Sequence, residues 1–254
     1  MNHLLQEGRK ENELAGTQKK EASTTKDATY GGIITANDVT ITTSGAHCAP
    51  LATDRGGGTV KVSGTSTLTS TGQGSPIIYS TGTIDVTRGT GTATGSEAIV
   101  IEGKNSVTVT DSSLTGKAEN GIMMYQSTSG YANDKDASST HSTLTLTNST
   151  ITSEANGSMI YITNTRAIIN ATSTKFVNNT STDFINAASG NWGTSGSNGG
   201  TLTFTADAQT LKGNITADSL SSISINLTNK SSYTGATTGT VNITADSTSS
   251  KNST

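Results

Sequence analysis

The sequence predicts an all-β chain wound into stacked coils, a solenoid, and three observations carry that expectation. The first is composition: 50 Thr and 34 Ser make up a third of the 254 residues, with 30% hydrophobic, 4% aromatic, 14% charged and 2 Pro. A compact core needs more apolar side chains, and a disordered chain carries more charge and proline. Stacked coils need only a thin inward column. The second observation is a pair of apolar residues two positions apart that recurs along the chain. The third is another apolar run that recurs in step with it.

The unit is clearest between Ser142 and Thr163. Leu144 and Leu146 alternate with Thr143, Thr145 and Thr147, the period of two that sends apolar side chains to one face of a strand and hydroxyls to the other. Ile151 gives a short second apolar contact, Asn156-Gly157 marks a turn, and Met159 to Ile162 supply a third run. Three short strands and three bends make one coil.

Residues 1–30 differ from this pattern. They carry Arg9, Lys10, Lys19, Lys20 and Lys26 against Glu7, Glu11, Glu13, Glu21 and Asp27, with few apolar residues. A solvated, disordered leader is expected, the alternative being a short capping helix on Leu4, Leu5 and Leu14.

Coils are expected over residues 31–243, followed by a polar tail over 244–254. The first-strand pair appears as Val39 and Ile41, Val60 and Val62, Ile84 and Val86, Val107 and Val109, Leu144 and Leu146, Ile169 and Ala171, Leu202 and Phe204, Ile223 and Ile225, and Val241 and Ile243. Successive first members are 21, 24, 23, 37, 25, 33, 21 and 18 residues apart. A base period interrupted by two long gaps implies about eight coils with insertions confined to loops. The third run keeps the same step at Pro76 to Tyr79, Ala98 to Ile101, Gly121 to Tyr125, Met159 to Ile162 and Phe184 to Ala187. The long gaps then fall at Gln126 to His141 and Gly190 to Gly200, which are expected to protrude.

The same alignment predicts which outward residues stack. Lys61 and Asp85 should be neighbours of opposite charge on adjacent strands. A lone coil cannot fold, because its few buried side chains contribute about 1.5 to 3 kcal/mol each against roughly 1 to 2 kcal/mol of backbone entropy for every residue ordered. The coils must fold as a stack. The absence of a visible cover at the C-terminal end suggests a piece of a longer surface protein.

With its coils aligned, the chain resembles the right-handed parallel β-helices of the pectin-lyase-like superfamily, and more closely their non-enzymatic surface members: adhesins, autotransporter passenger domains and polymorphic outer membrane proteins. Gly31-Gly32-Ile33-Ile34 is similar to the Gly-Gly-Ala-Ile repeat of the last group, and Phe176-Val177-Asn178-Asn179 matches its Phe-x-x-Asn repeat. The resemblance implies a right-handed coil, a cell-surface or secreted location in microbes, and binding or display as the role. The partner expected is a glycan or a host-surface protein.

Other functions are weighed against the residues. The net charge of -3 offers no basic patch, so nucleic acid is not an expected partner. Cys48 is the only cysteine, which excludes a disulfide within the chain. No run of about 18 apolar residues is present for a membrane span, and the start lacks the apolar core of a secretion signal. Asp85, Arg88, Glu97, Glu102 and Lys104 form a possible catalytic cluster, since lyases and hydrolases of the superfamily use grouped carboxylates with a base. None of the hydrolase strings Asn-Thr-Asp, Asp-Asp or Gly-His-Gly, nor the lyase string Arg-Pro-x-x-Arg, accompanies them, so no enzyme is expected.

Asn133, Asp134 and Asp136 lack the completion of a calcium loop, and His3, His47 and His141 are scattered, so neither a metal nor a cofactor is expected. A regular two-column Thr array on a flat solenoid face is an ice-binding geometry, but Lys61, Asp85 and Asn170 interrupt the column between the first-strand pairs. Binding is assigned instead to Trp192, the only tryptophan, set in a Gly-rich loop, together with Tyr131. An aromatic ring there either stacks on a partner or folds back on the solenoid flank. The expected function is therefore an adhesin-like β-helix. The alternatives are a carbohydrate-active enzyme on the same scaffold and a purely structural spacer.

Overall fold

The structure is a computed structural model and describes residues 12–15, 25–54, 56–127 and 141–253. Among these the chain is all-β, and every strand pair is parallel. Gly32–Asn37 enters a ten-stranded first sheet, Thr40–Thr43 a six-stranded second sheet and Leu51–Asp54 a nine-stranded third sheet. Gly58–Ser63 then returns to the first sheet beside Gly32–Asn37. The cycle repeats along the chain, as in a parallel β-helix. After Lys175–Asn178 the second sheet ends, and Thr210–Lys212, Ser232–Gly235 and Ser250–Ser253 form a separate fourth sheet. Three strands fall within segments expected to lie outside the coils: Asn12–Ala15 pairs with Ile34 to Asn37, Lys26–Thr29 pairs with Leu51–Asp54, and Ser250–Ser253 pairs with Ser232–Gly235.

The inward columns follow from the alternation. Val60, Ile84, Val107, Leu144 and Ile169 are register partners along the first sheet, and all are at most 1% exposed. Ile78, Ile99, Ile122, Ile160 and Ile185 do the same on the third sheet. Each such burial contributes about 1.5 to 3 kcal/mol. Lys61 is set opposite Asp85, as the spacing predicts.

The register departs from the sequence pattern in two places. In the first coil Ile34 and Ala36 fill the first-sheet column, while Val39 and Ile41 belong to the corner and the second sheet. From Leu202 onward the pairing slips by two: Leu202 sits against Ala167, and Phe204 takes the place opposite Ile169. A slip of two leaves every side chain on its own face, so periodicity alone cannot detect it. Phe176, Phe184 and Phe204, all three phenylalanines of the chain, meet here edge to face and tilted at centroid distances of 5.4, 6.1 and 6.3 Å. The cluster lies where the second sheet gives way to the fourth.

The corner after a first-sheet strand, leading to the second sheet or, beyond Lys175–Asn178, to the fourth, is built the same way in most coils. Asp38, Arg88, Asp111, Asn148, Ser173 and Ala208 each adopt positive φ there, between 48° and 59°. The next residue turns inward, and its N–H bonds to a hydroxyl of the following coil: Val39 to Ser66, Gly89 to Ser112, Ser112 to Ser149, Gln209 to Ser231. The hydroxyl ladder satisfies backbone donors that the sheets leave unpaired at the bend.

Candidate binding groove

Residues outside the core on the third sheet also stack by register. Tyr79, Val100, Met123, Tyr161 and Asn186 form one outward column, and Glu102, Tyr125 and Thr163 another. Three of the six tyrosines therefore stand on one flank. The loop after Asp183–Ala187 brings Trp192 over them, with its indole 5.1 Å from the Tyr125 ring at 40°. That separation and tilt are those of a favourable aromatic pair. Trp192 nonetheless remains 39% exposed, so the ring folds back and still presents a face to solvent.

The loop is tied down at both ends. Asp218 accepts from the Ser189 N–H and hydroxyl, each at 2.7 Å. Asn198 donates its amide to the carbonyls of Gly190 and Trp192, at 2.8 and 2.9 Å. Burial pushes the Asp218 carboxyl up, but hydrogen bonds from Ser221, Ser189 and the Leu220 N–H outweigh it and hold the group at about 2. Gly190 lies so close to the Tyr161 hydroxyl that a Cβ there would approach it to 2.9 Å. Gly193, at φ +79°, would drive a Cβ to 2.2 Å from Asn164. Only glycine lets the loop cross at that point.

Between the loop and the sheet lies a groove of about 330 Å³, lined by Glu97, Glu119, Asn120, Met123, Tyr161, Gly190, Asn191 and Trp192. Glu97 is 5% exposed and accepts from Ser96 Oγ at 2.7 Å. Burial raises its pKa and the nearby Glu119 charge adds to the rise, while hydrogen bonds from Ser96 and Asn120 oppose it. Behind the groove Glu102, also buried, accepts from the Tyr125 hydroxyl at 3.0 Å and from the hydroxyls of Tyr79 and Ser127. Burial, reinforced by the Glu102 charge, drives both tyrosine hydroxyls well above the ordinary phenol range. Tyr125 and Glu102 thus lie buried beneath, while Trp192, Tyr161, the Glu119 carboxylate and the Asn120 and Asn191 amides reach the solvent side. Such a surface suits the faces and hydroxyls of a sugar ring.

The five residues of the possible catalytic cluster are not brought together. Asp85 projects from the first sheet between Lys61 and Thr108, Arg88 occupies a positive-φ corner, and Lys104 is exposed in the bend after Glu102. Glu97 and Glu102 alone reach the third sheet. Tyr131, Asn133, Asp134 and Asp136 lie outside the described residues. Among those that are described, no group of three or more His, Cys, Asp or Glu is placed to hold a metal ion, and no helix is long and apolar enough to cross a membrane. The sequence reading singles out Trp192 and Tyr131 for binding and does not single out Tyr79, Tyr125 or Tyr161, which the fold gathers on the flank beside Trp192. Their signal was present: each ends or alternates within a third-strand run already aligned coil upon coil.

Comparison with protein-family models, with curated proteins and with solved structures gives no match to this chain.

Proposed function

We propose that the chain is a single right-handed parallel β-helix of about eight coils, of the pectin-lyase-like kind, and that it is a non-enzymatic, surface-exposed or secreted adhesin-type protein that binds glycan at the Trp192 groove. The observation that carries the reading is the gathering of Trp192 and Tyr161, distant in sequence, on one groove that also offers Glu119, Asn120 and Asn191, with Tyr125 packed beside Trp192. The exposed face of Trp192, beside the half-buried Tyr161, favours stacking on a ligand in a chain this poor in aromatics. The surface location and the superfamily rest on the resemblance of the coil pattern.

The test is a glycan array probed with the whole chain and with Trp192→Ala. Binding by the first and its loss in the second supports the reading; equal binding, or none by either, overturns it. A second reading, a carbohydrate-active enzyme at the same groove, is favoured by one observation: Glu97 is buried and held toward its protonated form beside Glu119, the condition of a general acid. Turnover of a polysaccharide that Glu97→Gln abolishes would replace the first reading with the second.

A further inference from the structure

The outer face of the second sheet differs from every other. One outward column runs Thr40, Thr67, Thr90, Ser113 and Thr150, and a second, two residues on, is threonine throughout from Thr42 to Thr152. Five adjacent strands therefore present a grid of ten hydroxyl side chains, nine of them threonine. The register is continuous across the five, with no bulge. We propose that this grid is an ice-binding face.

Four properties support ice as the occupant. The first is repetition in two directions: neighbouring strands stand about 4.8 Å apart and alternate residues about 6.6 Å apart along a strand, over a length of about 19 Å. Both steps are of the size that separates water oxygens on the faces of an ice crystal, and a lattice is the ligand that rewards two simultaneous periods. The second is that the hydroxyls are free. Among the described residues none of the ten bonds to a protein atom, whereas Ser66, Ser70 and Ser112 on the same strands or corners bond back to the main chain.

The third property is the absence of charge within the grid. The first sheet carries Lys61, Asp85 and Asn170 in its corresponding column. On the second sheet Lys175 appears only at the sixth strand, where the grid ends. The Lys117–Glu154 pair, at 3.0 Å, lies one alternation beyond its edge. The fourth is stiffness: threonine is restricted at χ1, and four of the five residues between the columns, Ile41, Leu68, Leu114 and Ile151, are at most 3% exposed and anchor their strands, the central strand having Gly91 there, packed between Leu68 and Leu114. The hydroxyls and methyls are ordered before water arrives, so little entropy opposes ordering a water layer on them.

The whole chain is tested for thermal hysteresis, for inhibition of ice recrystallisation and for partition into a growing ice front. Wild type is expected to shape crystals and enter the ice. Thr69→Lys and Thr92→Lys, at the centre of the grid, are expected to lose all three effects while keeping the wild-type circular dichroism spectrum and melting point. Thr145→Lys on the first sheet and Trp192→Ala should behave as wild type. Exclusion of the wild type from ice, or full activity in the two folded grid variants, overturns the proposal. These outcomes are independent of glycan binding at the groove.

Discussion

The indole of Trp192 stacks at 5.1 Å on Tyr125, whose hydroxyl donates at 3.0 Å to the buried Glu102. The only tryptophan of the chain is thereby held by a strand two rungs removed, in the third sheet, from the strand that leads into its own loop. Tyr125→Ala should release it. The expected result is a red-shifted and broader tryptophan emission and about a two- to tenfold weaker glycan interaction, since an aromatic pair is worth about 0.5 to 1.5 kcal/mol. Unchanged emission would show that the loop alone fixes the ring.

Alkaline pH should loosen the same region. The folded state holds the protons of Tyr79 and Tyr125 more tightly than the unfolded chain does, through burial and the Glu102 charge. Their contribution is complete below the unfolded phenol value of about 10 and is lost as pH rises beyond it, by up to about 1.4 kcal/mol per pH unit for each group. Urea melts between neutrality and strong alkali should show this fall, and Tyr79→Phe should reduce its slope. A melt midpoint flat across that range would contradict it.

Acid should act at the other end of the loop. Asp218 is held at about 2 by its hydrogen bonds to Ser189, Leu220 and Ser221, below its ordinary 3.8. Its contribution is present above the ordinary value and lost as pH falls through about 2. Tryptophan emission should change with that midpoint, and Asp218→Asn, which has no proton to gain, should show the altered emission already at neutral pH and no acid transition.

At the corner between the first two sheets, Ser112 receives the Gly89 N–H at 3.0 Å and donates to Thr110 at 2.7 Å. Ser112→Ala strands a buried donor and should cost about 1 to 3 kcal/mol, read as a lower urea midpoint with an unchanged slope. Ser112→Thr should restore most of the loss. Equal stability of the alanine variant would show that water takes over the bond.

Much of this architecture was legible in the sequence. Alternation places Val60, Ile84 and Val107 in one column and Ile78, Ile99 and Ile122 in another, because burial on one face forces a period of two. What escaped has physical reasons. The slip at Leu202 preserves parity, and the corner of Asp111-Ser112 or Asn148-Ser149 reads as ordinary turn composition until the hydroxyls are seen to climb from coil to coil. The second-sheet grid is hidden because its short strands place a single inward residue between the two columns, as Thr67 and Thr69 flank Leu68, and so produce no apolar pair two residues apart. Of the groove, Trp192 stood out by rarity; the burial of Glu97 depends on how Ser96 and Asn120 close around it, which no local pattern encodes.

In every sheet a strand is bonded only to its counterparts in the coils immediately before and after it. Among the described residues no strand pairs with one several coils later. A nascent chain leaving the ribosome can therefore accrete rung upon rung, each completed turn serving as the template edge for the next, with the exposed edge advancing at the pace of translation.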